Sequence, residues 1–536
     1  MKKEKIAKYF EQIPKYLRDG KHNQTKQVIG KVLKLGPFSE AQKNLISQWQ
    51  LMVGENLQAI KTIGAELSLE ELENATSVTL LLQFRLAFLL VSMGAPYSAR
   101  RISEKVLSIA EAKNIKMGEL FDRYPLMLIV LYRQLGMEET ALEAADQALQ
   151  FYPPDHFLYY HVIINQADLL RGKKQFSQVV NLTTKYLNQD LKNLEMVKFG
   201  LWRSQAETHL GQGDNSAAME CLTKAQEILP QKANMIEALV LKRCLGECFY
   251  NQNNFSKAEQ YFCQALDQHQ VNHLNAKMIL ANLYWLFQIP GLENKKYGLG
   301  WQISLACHPC NSAYSYLVGK KYIPELSYPL PQLFLERYQQ KFPNNKNDCW
   351  VISKTIQAKS YEEFSPNLAA MAGKAAIIDL YSGIVFKEGK LCEVLSETKL
   401  RAIAAIMASG ALGCSKWTLM DLVYREGPFD QLLLEDRIKN LLSQIKASGI
   451  KIKRKKNFYY FQDYEKFQII LPMGVATLRP YLFLASMHPI FNRQDIEELF
   501  SIHRATANRW LKEWREQDLI VPQDDGFVLK NARGNG

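Results

Sequence analysis

Apolar side chains recur three and four residues apart through residues 1 to about 285, in amphipathic runs separated by turns, and this period predicts helix after helix. The period fades over residues 286–372, where Pro290, Gly291, Gly298, Gly300, Pro309, Pro324, Pro329 and Pro331 interrupt the chain. Two helices are still predicted there, over residues 333–341 and 348–359, within a connecting subdomain. Residues 375–395 then alternate in strand fashion around Gly383 and the Glu388-Gly389 turn. Ser396 caps a helix that Gly410 ends, Ser415 opens a second, and a third runs from about 432 to 448 with Ile438, Leu441, Leu442 and Ile445 on its apolar face. Two short strands around a basic turn close this region near residue 463. Further on, Asn492 or Asp495 can cap a helix ending at Phe500, and residues 501–503 make a tight turn. The helix that follows, over residues 504–517, places Ala507, Trp510, Leu511 and Trp514 on one face. The pattern predicts a mostly α protein. A helical-repeat solenoid covers 1–285, a connecting subdomain 286–372, and two small α+β domains 373–463 and 475–530.

Internal similarity sharpens the first of these. In the run Leu131 to Pro153, Gly136 precedes Ala141 by five residues, with Ala148 and Pro153 seven and twelve beyond that Ala. The run His209 to Pro230 repeats the spacing with Gly213, Ala218, Ala225 and Pro230. A third unit carries Leu245-Gly246, Phe249, Phe255, Ala258, Phe262 and Ala265. Small residues let two antiparallel helices approach, large ones fill the groove between pairs, and proline stops the second helix. Weaker units pair Gly20 with Thr25, Gly54 with Ala59, Gly94 with Ala99 and Gly172 with Ser177, giving about seven in all. These residues resemble the tetratricopeptide repeat family. The resemblance implies a superhelix whose concave face binds a protein or peptide, and which in transcription regulators receives a signal or oligomerises. An irregular all-helical domain is the alternative. Residues 80–93, the most apolar stretch, carry Gln83, Arg85 and Ser92 and suit a buried repeat helix better than a bilayer span.

The order of small sheet, three helices and hairpin over 373–463 resembles the winged-helix domain of the OmpR/PhoB response-regulator type. Leu395-Ser396 with Lys399 matches the entry to its first helix, although the family has an acid where Lys399 stands. Ser415 with Leu419 matches the start of the second helix, Ile438 with Leu441 the recognition-helix core, and Phe458-Tyr459-Tyr460-Phe461 the closing strand. The chemistry agrees. Lys446, Lys451, Lys453, Arg454, Lys455 and Lys456 fall in eleven residues without an acid, and such a hairpin suits a phosphate backbone or a minor groove. Asn440 and Gln444 carry amides suited to adenine edges, with Arg437 and Ser443 as outward neighbours. The same residues would equally make a solvated hairpin tip and a wet helix face.

Residues 475–530 resemble the helix-turn-helix of many bacterial repressors, with a recognition helix leading through Asp518-Leu519-Ile520-Val521 into a wing. Arg504, Thr506, Asn508, Arg509 and Lys512 stand on the face opposite the Ala507–Trp514 seam, where major-groove contacts are made. The acidic tip Gln523-Asp524-Asp525 would repel phosphate, so a docking module is the alternative.

The net charge of +12 favours nucleic acid or acidic partners, but residues 374–536 hold 24 Lys and Arg against 19 Asp and Glu, so any such binding rests on local clusters. Nine scattered cysteines, four of them on repeat helices (Cys221, Cys244, Cys248, Cys263), suit packed thiols in the cytoplasm. The basic start, Met1 to Phe10, runs on without the apolar stretch of a secretory signal. Cys307-His308-Pro309-Cys310 lacks the second ligand pair of a structural zinc site, since Cys349 and His273 are distant and unpaired. No metal or cofactor is expected. Without a phosphate-binding Gly-rich loop, a His-Glu-x-x-His pair or a nucleophile elbow, the chain reads as a non-enzyme. Two functions fit: a cytoplasmic regulator that binds double-stranded DNA, as a homodimer if its sites are paired, or an interaction scaffold that uses its winged helices for assembly.

Overall fold

The computed structural model describes residues 2–18, 21–53, 55–135, 137–189, 191, 194–228, 235–267, 280–283, 285–286, 288–290, 298–307, 349–361, 376–387, 390–424, 427–472, 481, 484–485, 488, 490–500 and 502–530. The chain divides into two compact units, Met1–Leu169 with Tyr424–Arg437, and Leu170–Val423 with Ile438–Gly536.

In the first unit the helices are α1 (Lys2–Arg18), α2 (His22–Leu33), α3 (Glu40–Met52), α4 (Asn56–Ile63), α5 (Leu69–Glu73), α6 (Ser77–Ser92), α7 (Pro96–Ala112), α8 (Met117–Leu120), α9 (Tyr124–Gln134) and α10 (Glu138–Phe151). The pairs α1/α2, α3/α4, α6/α7 and α9/α10 pack as hairpins. Local chemistry sets several starts. Ser39 and Ser68 form capping boxes with Gln42 and Glu71, the Thr76 hydroxyl accepts from the Thr79 N–H, and Pro96 sits in the first turn of α7. Helix α6 packs against α3, α4, α7, α8 and α9, which is why it is apolar on nearly every side, and Arg85 within it bonds to the Asn44 carbonyl at 2.6 Å and the Ser47 hydroxyl at 2.8 Å. No helix among the described residues is long and apolar enough to cross a membrane.

Helix α11 (Phe157–Gly172) passes from the first unit into the second, where α12 (Phe176–Leu187), α13 (Glu195–Gln212), α14 (Asn215–Ile228), α15 (Met235–Asn251) and α16 (Phe255–Asp267) follow. The fourth residue of each second helix is Thr25, Ala59, Ala99, Ala141, Val179, Ala218 or Ala258, and all seven are wholly buried. This corrects one expected unit. Ser177 is exposed, and Val179 holds the close-packing position, because the turn before α12 is two residues longer than the Gly172 phase assumes. Lys174 (φ 61°) takes there the left-handed backbone that Gly94 and Gly213 supply elsewhere, each two residues before its helix. Gly20, Gly54, Gly136 and Pro230 lie outside the described residues.

After α17 (Leu299–Cys307) come strands β1 (Cys349–Ile352) and β2 (Ile356–Lys359). The helix expected over 348–359 is therefore a hairpin, with Cys349 opposite Lys359 and Ile352 opposite Ile356. Its Val351, Ile352 and Ile356 are β-branched, and β1 is completed by pairing with β9 (Gln468–Pro472), more than a hundred residues away. The helix expected at 333–341 falls outside the described residues. Strands β3 (Ile377–Asp379), β4 (Ile384–Lys387) and β5 (Lys390–Val394) complete a six-stranded sheet of order β2-β1-β9-β3-β4-β5, with β3 parallel to β9.

Helix α18 (Glu397–Ser409), capped by Ser396, ends at Gly410 (φ 53°), where a Cβ would lie 2.2 Å from the Gly300 carbonyl oxygen. Strand β6 (Cys414–Ser415), α19 (Lys416–Val423), α20 (Gln431–Ala447), β7 (Ile452–Lys455) and β8 (Phe458–Phe461) follow, and β6-β8-β7 form a second sheet. Last come α21 (Arg493–Phe500), α22 (Arg504–Glu516), β10 (Ile520–Gln523) and β11 (Gly526–Leu529). Ile496, Phe500, Ala507, Leu511, Trp514 and Ile520 share one apolar core with Val351, Ile377, Ile384, Phe386 and Ile470 of the six-stranded sheet.

Candidate nucleic-acid interface

Helix α20 buries Leu434, Ile438, Leu441 and Ile445, a spacing that turns Arg437, Asn440, Ser443 and Gln444 outward, all of them exposed. The Asp430 carboxylate starts the helix by accepting from the N–H groups of Leu432 and Leu433 at 2.9 and 3.1 Å. Leu442, expected on the apolar face, is half-buried at its margin. The Arg437 guanidinium lies 5.8 Å from the Tyr424 ring centre.

The hairpin β7–β8 pairs Ile452 with Phe461 and Lys455 with Phe458. Alternation along β8 puts Tyr459 and Phe461 inside, while Lys453, Arg454 and Lys455 of the edge strand β7 and Lys456 of the turn are all exposed, with Lys451 exposed just ahead of β7. Lys456 makes the turn with φ 56°. Arg454 is partly ordered, since its Nε donates to the Lys456 carbonyl at 3.0 Å and its guanidinium lies 5.9 Å from the Tyr459 ring. Gly413 is required beside this sheet, because a Cβ there would meet the Tyr460 ring at 2.5 Å.

From Arg437 to Gln462 the chain holds eight cations and no acid. None of Lys446, Lys451, Lys453, Arg454, Lys455 and Lys456 pairs with a carboxylate among the described residues. Periodicity within single segments does not single out two further cations of this region: Lys439, exposed on α20, and Lys416, whose backbone N–H donates to the Asn457 carbonyl at the hairpin turn at 2.9 Å. The unbroken acid-free run was the signal for Lys439. Nothing in the sequence tied Lys416 to the turn.

The second helix pair differs. Asn492 and Asp495 cap α21 reciprocally, the Asn492 amide oxygen accepting from the Asp495 N–H at 3.2 Å and the Asp495 carboxylate from the Asn492 N–H at 2.7 Å. Ala507, Leu511 and Trp514 are buried, and the Trp510 ring lies tilted against that of Trp514, 5.6 Å between centres. Arg504, Asn508, Arg509 and Lys512 are exposed, while Thr506 is half-buried and its N–H donates to the His503 carbonyl. Here two of the cations face acids on their own helix, Arg509 with Glu513 at 3.9 Å and Lys512 with Glu516 at 3.8 Å. Asp524 and Asp525 are exposed at the hairpin tip.

Other polar interior groups serve the fold. The Asp379 carboxylate, wholly buried, accepts from the Tyr381 and Ser382 N–H groups at 2.9 and 3.2 Å and from the Tyr361 and Ser382 hydroxyls. Burial raises its pKa, and those donors act against the rise. The Cys307 thiol is buried and pushed up by that burial, and residues 308–310 lie outside the described ones. Among the described residues no group of three or more His, Cys, Asp or Glu could hold a metal ion.

No protein-family model and no curated protein matches the chain. Among solved structures it is similar to a tetratricopeptide repeat protein from Parabacteroides merdae ATCC 43184. That match spans 52% of this chain and 99% of the other, at 13% identity and a TM-score of 0.35, too loose to assign a fold or a function.

Proposed function

We propose that this chain is a regulator of transcription that binds double-stranded DNA through a winged-helix unit, α18 to β8. The helix-pair array, read as tetratricopeptide-like, takes a protein or peptide partner. The observation that carries the reading is the pair of surfaces formed by α20 and the β7–β8 hairpin, where the exposed hairpin cations stand without described counter-charges and α20 turns the amides of Asn440 and Gln444 outward. A helix with outward amides offers groove contacts, and the cationic hairpin that follows it in the chain offers backbone contacts, the two kinds of contact that DNA recognition combines. We read the chain as a binding protein and not a catalyst. For α21–α22 the same logic favours protein docking, since Arg509 and Lys512 face Glu513 and Glu516 on their own helix and the hairpin tip is acidic.

Fluorescence polarisation with a labelled random-sequence duplex tests this across a salt series. Affinity falls steeply with salt, and replacing Lys453, Arg454, Lys455 and Lys456 by Ala lowers the log–log salt slope by roughly 3 to 4, about 0.9 for each phosphate no longer neutralised. A matching Arg504/Arg509→Ala variant leaves the slope nearly unchanged. Equal binding and equal slope for wild type and the hairpin variant would leave the adaptor reading in possession.

A further inference from the structure

Within the first unit a segment from the C-terminal half, Tyr424–Arg437, lies with the N-terminal helix pairs. The connection is specific. Glu66, between α4 and α5, donates its backbone N–H to the Phe429 carbonyl at 2.8 Å and accepts the Phe429 N–H on its own carboxylate, also at 2.8 Å. The two residues thus exchange a closed pair of hydrogen bonds across 363 positions of sequence. Phe429 is 2% exposed and the Glu66 side chain 1%.

Both partners are held from behind. Gln83 on α6 pins the loop carrying Glu66 on either side, its amide donating to the Ala65 carbonyl at 3.0 Å and accepting from the Leu67 N–H at 3.2 Å. On α7, one turn apart, Arg101 grips both Glu66 oxygens at 3.0 and 2.7 Å and Lys105 donates at 2.9 Å. A buried carboxylate with this many donors stays ionised and oriented. On the other side, Phe429 directly precedes Asp430, whose side chain caps α20. Whatever fixes the Phe429 backbone therefore fixes where α20 begins, and α20 carries Arg437, Asn440 and Gln444.

We infer that Glu66 is a latch through which the repeat array sets the start of α20, making the array a conformational input to that helix. An event in the array that moves the Glu66 loop against α7 would free Phe429, uncap α20 and disorder its first turns. The latch itself stands on contacts within the first unit. Only its last consequence, a change in duplex affinity, rests on the DNA-binding reading.

The test uses the full chain with Glu66→Gln, which keeps the shape but loses the charge, Glu66→Ala, and Arg101→Met. A Glu104→Gln variant, which breaks only the exposed Arg100–Glu104 pair, is the control. Hydrogen exchange read by mass spectrometry is expected to quicken by about tenfold over residues 427–437 in the first three variants, with residues 397–423 unchanged and the control like wild type. Unchanged exchange over 427–437 in both Glu66 variants, with circular dichroism showing them folded, overturns the latch. Should Glu66→Ala unfold the unit, the isosteric Glu66→Gln decides. The same proteins are then titrated with duplex. Weaker binding that follows the exchange supports the coupling, and unchanged binding despite faster exchange refutes it. If wild type binds no duplex, the DNA reading fails while the exchange data alone still decide the latch.

Discussion

Arg243 lies on α15 without solvent exposure, yet keeps its charge satisfied. Its guanidinium meets Glu247 one turn on at 2.7 Å and also bonds Glu207 on α13. Glu207 in turn pairs with Arg171 on α11 at 2.9 Å and lies 3.8 Å from Arg203 on its own helix. Removing one member of such a buried pair strands the other in a poorly polarisable interior, whereas removing both leaves only packing to repair. Arg243→Leu is accordingly expected to cost about 3–5 kcal/mol in denaturant unfolding, and the Arg243→Leu/Glu247→Leu double variant to regain much of it. Losses that simply add would refute the coupling. From the sequence these residues, one turn apart and opposite in charge, look like a solvated helix face. Only the packing of α15 beside α13 turns them inward.

Helices and hairpins were legible where the deciding forces are local. Each second helix of the seven pairs buries its fourth residue, and six of those seven were named from glycine-to-small-residue spacing or the small-and-aromatic pattern. The seventh slipped by two because Lys174, not Gly172, takes the left-handed turn, a choice that no residue preference announces. Gly246 shows the steric cause of the pattern. A Cβ there would fall 2.5 Å from the Phe262 ring on α16. Gly246→Ala should push α15 and α16 apart and cost about 1–3 kcal/mol, visible as a lower Tm in calorimetry, and an unchanged Tm would show that the ring yields freely. Strands β1 and β2 were misread as helix because their stability comes from β9, too far along the chain for any local period to reveal. Of the candidate interface, the cationic hairpin and the exposed side of α20 could be read directly, since a run of consecutive cations stays in water and the helical period decides which side chains of α20 face out. The pairing of Arg509 and Lys512 with Glu513 and Glu516 also stood in the sequence as i,i+4 spacing, but its weight became plain only beside the hairpin, whose cations meet no carboxylate among the described residues.

At the scale of the whole molecule, Glu66 links stability to pH with a definite sign. Burial of Glu66 works to raise its pKa, but hydrogen bonds from Arg101, the Phe429 N–H and Lys105 together outweigh it and hold the value below the ordinary 4.5. A carboxyl whose pKa is lower in the folded state contributes stability that is full above its unfolded pKa and lost as pH falls through its folded pKa. The stability gap between wild type and Glu66→Gln should therefore hold steady above about pH 5 and narrow below the ordinary glutamate value, as followed by denaturant midpoints in an acid series. A gap independent of pH would show that the carboxylate's charge does not matter there. The sequence alone determined the helix pairs, their caps and small-residue contacts, and the cationic hairpin, since each depends on neighbours within a turn or two. The tertiary structure alone decided the insertion of β9 between β1 and β3, the inward turn of Arg243 and the bond between Glu66 and Phe429. Those depend on groups brought together from distant parts of the chain, and no local pattern encodes which partner a buried charge or a strand edge will meet.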